Sequence, residues 1–137
     1  MEQMRAPIST VAHGPVVSAT PEMTLRAASR LMHTTSIGAL GVRGPHGLVA
    51  VLSERDVLDA LAQGADPDVA TVGQHMSSTM VVARPGDTLL DVALVMLEDG
   101  IRHVPVVDEY GRDSAMASLR DLLRPMVLES MTPSQPV

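Results

Sequence analysis

Gly100-Ile101-Arg102-His103-Val104-Pro105-Val106-Val107-Asp108 reads as the end of a helix followed by a short buried strand. Gly100 offers the left-handed conformation on which helices commonly stop. Ile101, Val104, Val106 and Val107 are apolar and β-branched, as a buried strand prefers. Pro105 lacks an N–H, so it fits only at a strand edge or an irregularity of the ladder. Outward from this stretch the same unit recurs. A shift of 64 positions sets Val17 on Val81, Ala19 on Ala83, Pro21 on Pro85, Thr24 on Thr88, Leu25 on Leu89, Met32 on Met96, Ile37 on Ile101, Val42 on Val106 and Gly47 on Gly111. After one inserted residue the shift is 65, and Ser53, Arg55, Asp56 and Leu58 meet Ser118, Arg120, Asp121 and Leu123. Chance supplies Leu and Ala matches in so apolar a chain. Ordered matches at Pro, Thr, Gly, Ser and Asp mark an internal repeat.

Each copy reads strand, helix, strand, strand, helix. Val16–Ala19 and Met80–Ala83 are short β-rich runs ended by Pro21 and Pro85. Thr24 and Thr88 are helix N-caps, the second with Asp91 in capping-box spacing. Leu25, Ala28, Leu31 and Met32 share one helical face, as do Leu89, Val92, Val95 and Met96. Ala39–Val42 and His103–Val107 are the second strands; Gly-containing turns follow. The third strand is clear in Leu48–Leu52 and poor in Arg112–Ala117. The last helices open at Ser53 and Ser118. Val57, Leu58 and Leu61 are expected on the inner face of the first, and Pro125 is expected to break or kink the second.

The copies span residues 11–64 and 79–125. A linker at 65–78 holds one helical turn near Thr71–Met76, and residues 126–137 form a flexible tail. The fold class is α/β (α+β), two βαββα units. A unit of ~60 residues is marginal alone by surface-to-volume scaling. Two units related by a pseudo-twofold axis, sheets together and helices outside, would bury what each leaves exposed.

Composition narrows the function classes. Of 137 residues, 45 % are apolar, enough for a core, but there is no Phe, no Trp and one Tyr, so the interior is aliphatic and Met-rich. The absence of Cys removes disulfides and thiolate metal sites and fits a reducing compartment. A net charge of −6 and the lack of aromatics count against nucleic acid as a partner. No apolar run approaches the ~18 residues of a membrane span, and the first ten residues lack a signal-peptide apolar region. The expectation is a soluble cytoplasmic protein. His13, His33, His46, His75 and His103 are dispersed, with no i, i+4 pair for a helical metal site. The chain also lacks a nucleophile elbow, a P-loop and a Gly-x-Gly-x-x-Gly motif. The expectation is therefore a binding protein without catalytic or metal residues.

Val104-Pro105-Val106-Val107-Asp108, a Gly turn, and Ser118-x-Arg120-Asp121 resemble the signature of a cystathionine β-synthase (CBS) domain, as does Ser53-Glu54-Arg55-Asp56 after Leu48–Leu52. Together the copies resemble a tandem CBS pair, or Bateman module, over about residues 11–125, in the stand-alone format of small bacterial CBS-pair proteins. The resemblance implies a regulatory module that binds an adenosyl ligand (AMP, ADP, ATP or S-adenosylmethionine) in the cleft between repeats, and that commonly forms a homodimer. It implies that Asp56 and Asp121 accept hydrogen bonds from ribose hydroxyls and that Ser53 and Ser118 donate to phosphate, beside Arg102 and His103. The backbone near Val17 and Ala19 with Ile37, Ala39 and Leu40 would form one adenine slot. Val81 and Ala83 with Ile101, Arg102, His103 and Val104 would form the other.

Each of these signals has a plain structural reading beside it. Ser53-x-x-Asp56 and Ser118-x-x-Asp121 are good capping boxes, worth ~1 kcal/mol of helix stability without any ligand. Arg102 and His103 either meet phosphate or are solvated at a strand end; Arg55 and Arg120 either reach phosphate or pair with surface acids. Gly38 and Ala39 occupy the positions of Arg102 and His103 in the first copy, and Gly41 that of Pro105. The rival reading is a CBS scaffold that binds no nucleotide and serves as a dimeric interaction or stress-response protein.

Overall fold

Two capped helices and two hairpins recur with the period of the sequence. The structure, a computed structural model, describes residues 2–77 and 79–131. Helix α1 (Leu25–Thr35) starts where the Thr24 hydroxyl accepts the Ala27 N–H at 3.1 Å. Helix α4 (Leu89–Asp99) starts the same way, with Thr88 accepting from Asp91 N–H at 3.1 Å. Both stop on a left-handed residue: Gly100, as the sequence predicts, and Ser36 at its repeat position, with φ 57°. A serine there pays the Cβ clash that glycine avoids.

Strands β1 (Ser18–Ala19), β2 (Ala39–Gly44) and β3 (Gly47–Ser53) form one sheet, β1 parallel and β3 antiparallel to β2. Strands β4 (His103–Val107) and β5 (Asp113–Ser118) form an antiparallel pair. The registers are one register. Leu40 faces Leu52 and Val104 faces Ala117; Arg43 faces Leu48 and Val107 faces Asp113. The extra residue that changes the shift from 64 to 65 therefore falls in the second hairpin turn. The poor-looking third strand forms in full because its ladder is backbone, with Ala117 buried behind it.

The expected strand at Met80–Ala83 is reduced to one bridge, Ala83 to Val106. The cause is Pro105. In the first copy Gly41 N–H donates to the Val17 carbonyl at 3.0 Å. Pro105 holds that position in the second copy and has no N–H to give. Only Ala83 remains tied, by its N–H to the Pro105 carbonyl and its carbonyl to the Val107 N–H.

Helix α2 (Glu54–Ala62) follows β3, and helix α3 (Val72–His75) supplies the single turn expected near Thr71–Met76. Helix α5 (Leu119–Ser130) runs through Pro125 without breaking, so the expected break is corrected. Residues to 130 within the expected tail are helical; 132–137 lie outside the described residues. A second correction concerns α2. Leu58 and Leu61 are 64 % and 45 % exposed, while Val57 and Ala60 turn inward. Ser53, Asp56, Val57 and Ala60 lie on one helical stripe, so the cap that holds Ser53 and Asp56 also fixes the helix's rotation.

Packing divides the chain into two units: Val16–Val81, and the residues up to Pro15 together with those from Val82 onward. The linker residues 65–77 thus belong to the first of these. In Val16–Val81 the core is Leu25, Ala28 and Met32 of α1, Leu40 and Val42 of β2, Ala50 and Leu52 of β3, Ala60 of α2 and Val72 of α3. In the other unit Leu89, Val92 and Met96 of α4 meet Val104, Val106, Ala117 and Leu122, and Ile8 from the N-terminal segment completes the cluster. Ile8 and Val72 are equivalent under the 64-residue shift. Leu89 N–H donates to the Ala6 carbonyl at 3.0 Å as Leu25 N–H donates to Ala70 at 2.9 Å. The repeat therefore begins earlier than the motifs indicate: residues 6–13 and 70–77 are also copies.

Candidate functional site

Each unit presents one capped helix N-terminus beside one strand. In Val16–Val81, Ser53 N–H donates to Asp56 Oδ2 at 2.8 Å and Asp56 N–H donates to Ser53 Oγ at 3.2 Å. Glu54 N–H donates to the Gly38 carbonyl at 2.9 Å, which pins the helix end to the peptide entering β2. In the other unit Ser118 and Asp121 make the same box at 2.9 and 3.1 Å, and Leu119 N–H donates to the Arg102 carbonyl at 2.8 Å. A helix N-terminus concentrates N–H donors and the positive end of the helix dipole. Each serine hydroxyl accepts in its box and keeps its own O–H to donate.

The expected site residues fall into two sets. Ser53 and Asp56 are half-buried at the start of α2, with Arg55 exposed beside them. Ala39 and Leu40 are buried in β2, Ala19 is buried in β1, and Val17 and Ile37 are half-buried next to those strands. Leu40 is fully enclosed in the core, backbone as well as side chain, so it presents no surface to a ligand in this structure. Ser118 and Asp121 are half-buried at the start of α5, with Arg120 exposed. Ala83 and Val104 are buried, Val81 and His103 half-buried, and Arg102 exposed. A shallow hollow lies along Val82, Ala83, Asp87, Val92 and Val104.

One contact escaped the sequence reading. His13 Nε2 lies 3.0 Å from Asp121 Oδ1. The N-terminal segment brings it there by a two-bond bridge between His13 and Met116 of β5, at 3.0 and 2.9 Å. The 64-residue shift pairs His13 with Ser77, and that signal was present in the sequence.

Other charged groups serve the scaffold. Asp108, which closes the Val-Pro-Val-Val-Asp run, accepts the Arg112 and Tyr110 N–H groups at 2.9 Å and faces Arg112 Nε at 3.3 Å. The Arg112 backbone bond, with help from Tyr110, lowers its carboxyl below the usual range. Asp68 is lowered by its hydrogen bond from Arg26. Among the described residues there is no cluster of three His, Cys, Asp or Glu that could hold a metal, and no helix long and apolar enough to cross a membrane.

Comparison with known proteins places these features in company. The family model described as CBS domain matches twice, over residues 8–63 and 69–127. Hypoxic response protein 1 of Mycobacterium tuberculosis is 35 % identical over 89 residues, covering 64 % of this chain and 62 % of that relative. A protein with CBS domains from Burkholderia ambifaria MC40-6 superposes with a TM-score of 0.87 over 95 % of this chain and 100 % of its own, at 20 % identity. The CBS domain pair of protein MJ0100, solved with 5'-methylthioadenosine and S-adenosyl-L-methionine, superposes at 0.82 over 90 % and 98 %, at 24 % identity.

Proposed function

The chain belongs to the CBS domain family, and from that premise we propose that it is a regulatory module that senses an adenosyl ligand. The observation that carries this reading is the duplicated box: a half-buried carboxylate and a serine hydroxyl at a helix N-terminus, pinned to the strand-entry peptide in both units. Asp56 and Asp121 accept ribose hydroxyls; Ser53 and Ser118, at the positive ends of their helix dipoles, receive phosphate or another anionic group. Arg102, Arg120 and His103 add basic character on one side, and Arg55 on the other. Adenine packs between aliphatic residues and bonds to backbone, as suits a chain with one aromatic residue. The bound adenosyl groups of MJ0100 support the ligand class; AMP, ADP, ATP and S-adenosylmethionine are its candidates here. Ligand acts by differential affinity for two arrangements of the protein, without turnover, in the cytoplasm.

We propose further that the chain is a homodimer. Leu90, Leu94 and Leu97 form an exposed stripe on α4, and Leu123, Val127 and Leu128 one on α5. Apolar rows of this kind on packed helices suit a second copy.

Thermal melting with each candidate ligand tests the reading. A ligand at 100 times its dissociation constant stabilises by about 2.7 kcal/mol, roughly 8–14 °C for a chain of this size. No shift with any of the four at millimolar concentration would leave the ligand-free scaffold as the better reading, one favoured by Gly38 and Ala39 standing where the other copy has Arg102 and His103.

A further inference from the structure

The two boxes differ at one oxygen. Among the described residues, no protein group donates to Asp56 Oδ1, whereas Asp121 Oδ1 has the imidazole of His13 at 3.0 Å. Backbone places that imidazole: His13 and Met116 exchange N–H···O bonds at 3.0 and 2.9 Å. The equivalent backbone contact in Val16–Val81 is Ser77 N–H to the Val51 carbonyl at 3.1 Å. There the short side chain turns away, and Ser77 Oγ donates to the Thr79 carbonyl at 3.0 Å. One backbone position thus carries a side chain that reaches the carboxylate in one unit and one that does not in the other.

We propose that this position selects which site fills: His13 occupies the carboxylate of Asp121 that would receive ribose, so the Asp56 site of Val16–Val81 takes the nucleoside first. The proposal rests on the adenosyl reading above. A ligand at Asp121 must first displace His13, which is 78 % exposed and can swing into water, while Asp121 is 13 % exposed and stays. The contest is therefore between one exposed imidazole–carboxylate contact and the ribose. A contact of that kind is worth up to roughly fivefold in affinity.

The test is calorimetric titration of the full chain with adenosine, which has no phosphate and so isolates the ribose and base. Asp56→Ala should remove the tighter class of sites. In that background His13→Ser, which installs the other copy's residue, should tighten the remaining site by roughly two- to fivefold. The reverse exchange, Ser77→His, should weaken the Asp56 site by a similar factor. Unchanged melting curves would show that the exposed substitutions leave the fold intact. If His13→Ser leaves the Asp121 site unchanged or weaker in that background while adenosine still binds the parent protein at Asp56, the selection proposal is overturned and the adenosyl reading stands. If adenosine binds none of the proteins, both fall.

Discussion

Asp56→Ala separates a ligand carboxylate from a helix cap, because the structure gives the magnitude of each role. As a cap, Asp56 accepts one backbone hydrogen bond, from Ser53 at 2.8 Å, and the reciprocal bond to Ser53 Oγ at 3.2 Å uses its backbone and survives truncation. Losing one side of the box costs about 1 kcal/mol, or roughly 3–5 °C of Tm. As a ligand group, a carboxylate accepting ribose hydroxyls is worth about 1.5–3 kcal/mol, which is roughly a 10- to 150-fold rise in Kd. Asp56→Asn is the control: its carbonyl oxygen still accepts the Ser53 N–H, so Tm should stay near that of the parent while adenosine affinity falls. Calorimetry with adenosine and a melting curve on each protein supply both numbers. Refutation would be an Asp56→Ala protein whose Tm drops as stated while adenosine binds within twofold of the parent.

Three further outcomes follow from particular contacts. Arg102→Ala should weaken AMP by up to roughly fivefold, as for an exposed charge pair, and leave adenosine unchanged in parallel titrations; an equal fall for both would mean that the side chain acts through structure. Ser36→Gly should raise stability by about 1 kcal/mol in chemical denaturation, because Ser36 holds the left-handed conformation that Gly100 holds in the second copy. Asp108 has a lowered pKa when folded, so its contribution is present above the unfolded value of about 3.9 and is lost as pH falls through the folded one. The Tm gap between parent and Asp108→Ala should accordingly be full at pH 7 and narrow below about pH 4; a gap constant with pH would mean that ionisation of Asp108 adds nothing.

The duplicated hairpin and both serine-aspartate boxes were legible in the sequence because they depend on local chemistry. A helix must be capped, a strand must be apolar, and an insertion must land in a turn. What depended on the rest of the molecule was not. Leu58 and Leu61 looked like an inner face because they are large, yet the cap stripe from Ser53 through Ala60 decides the rotation of α2. Met80–Ala83 looked like a strand because it is β-rich, but the missing N–H belongs to Pro105, more than twenty residues away. The copies at residues 6–13 and 70–77 share a single identity, Ala6 with Ala70. The 64-residue shift does pair His13 with Ser77, but the contact from His13 to Asp121 rests on backbone bonds to Met116 that the sequence does not display.

A co-crystal structure with AMP tests the adenosyl reading most directly, since it shows which side chains the ligand meets. The ribose hydroxyls should lie within hydrogen-bond distance of the Asp56 carboxylate, with the phosphate toward Ser53 and the N-terminus of α2. AMP bound elsewhere, with Asp56 still serving only as a cap, would contradict it, as would an empty site at millimolar ligand.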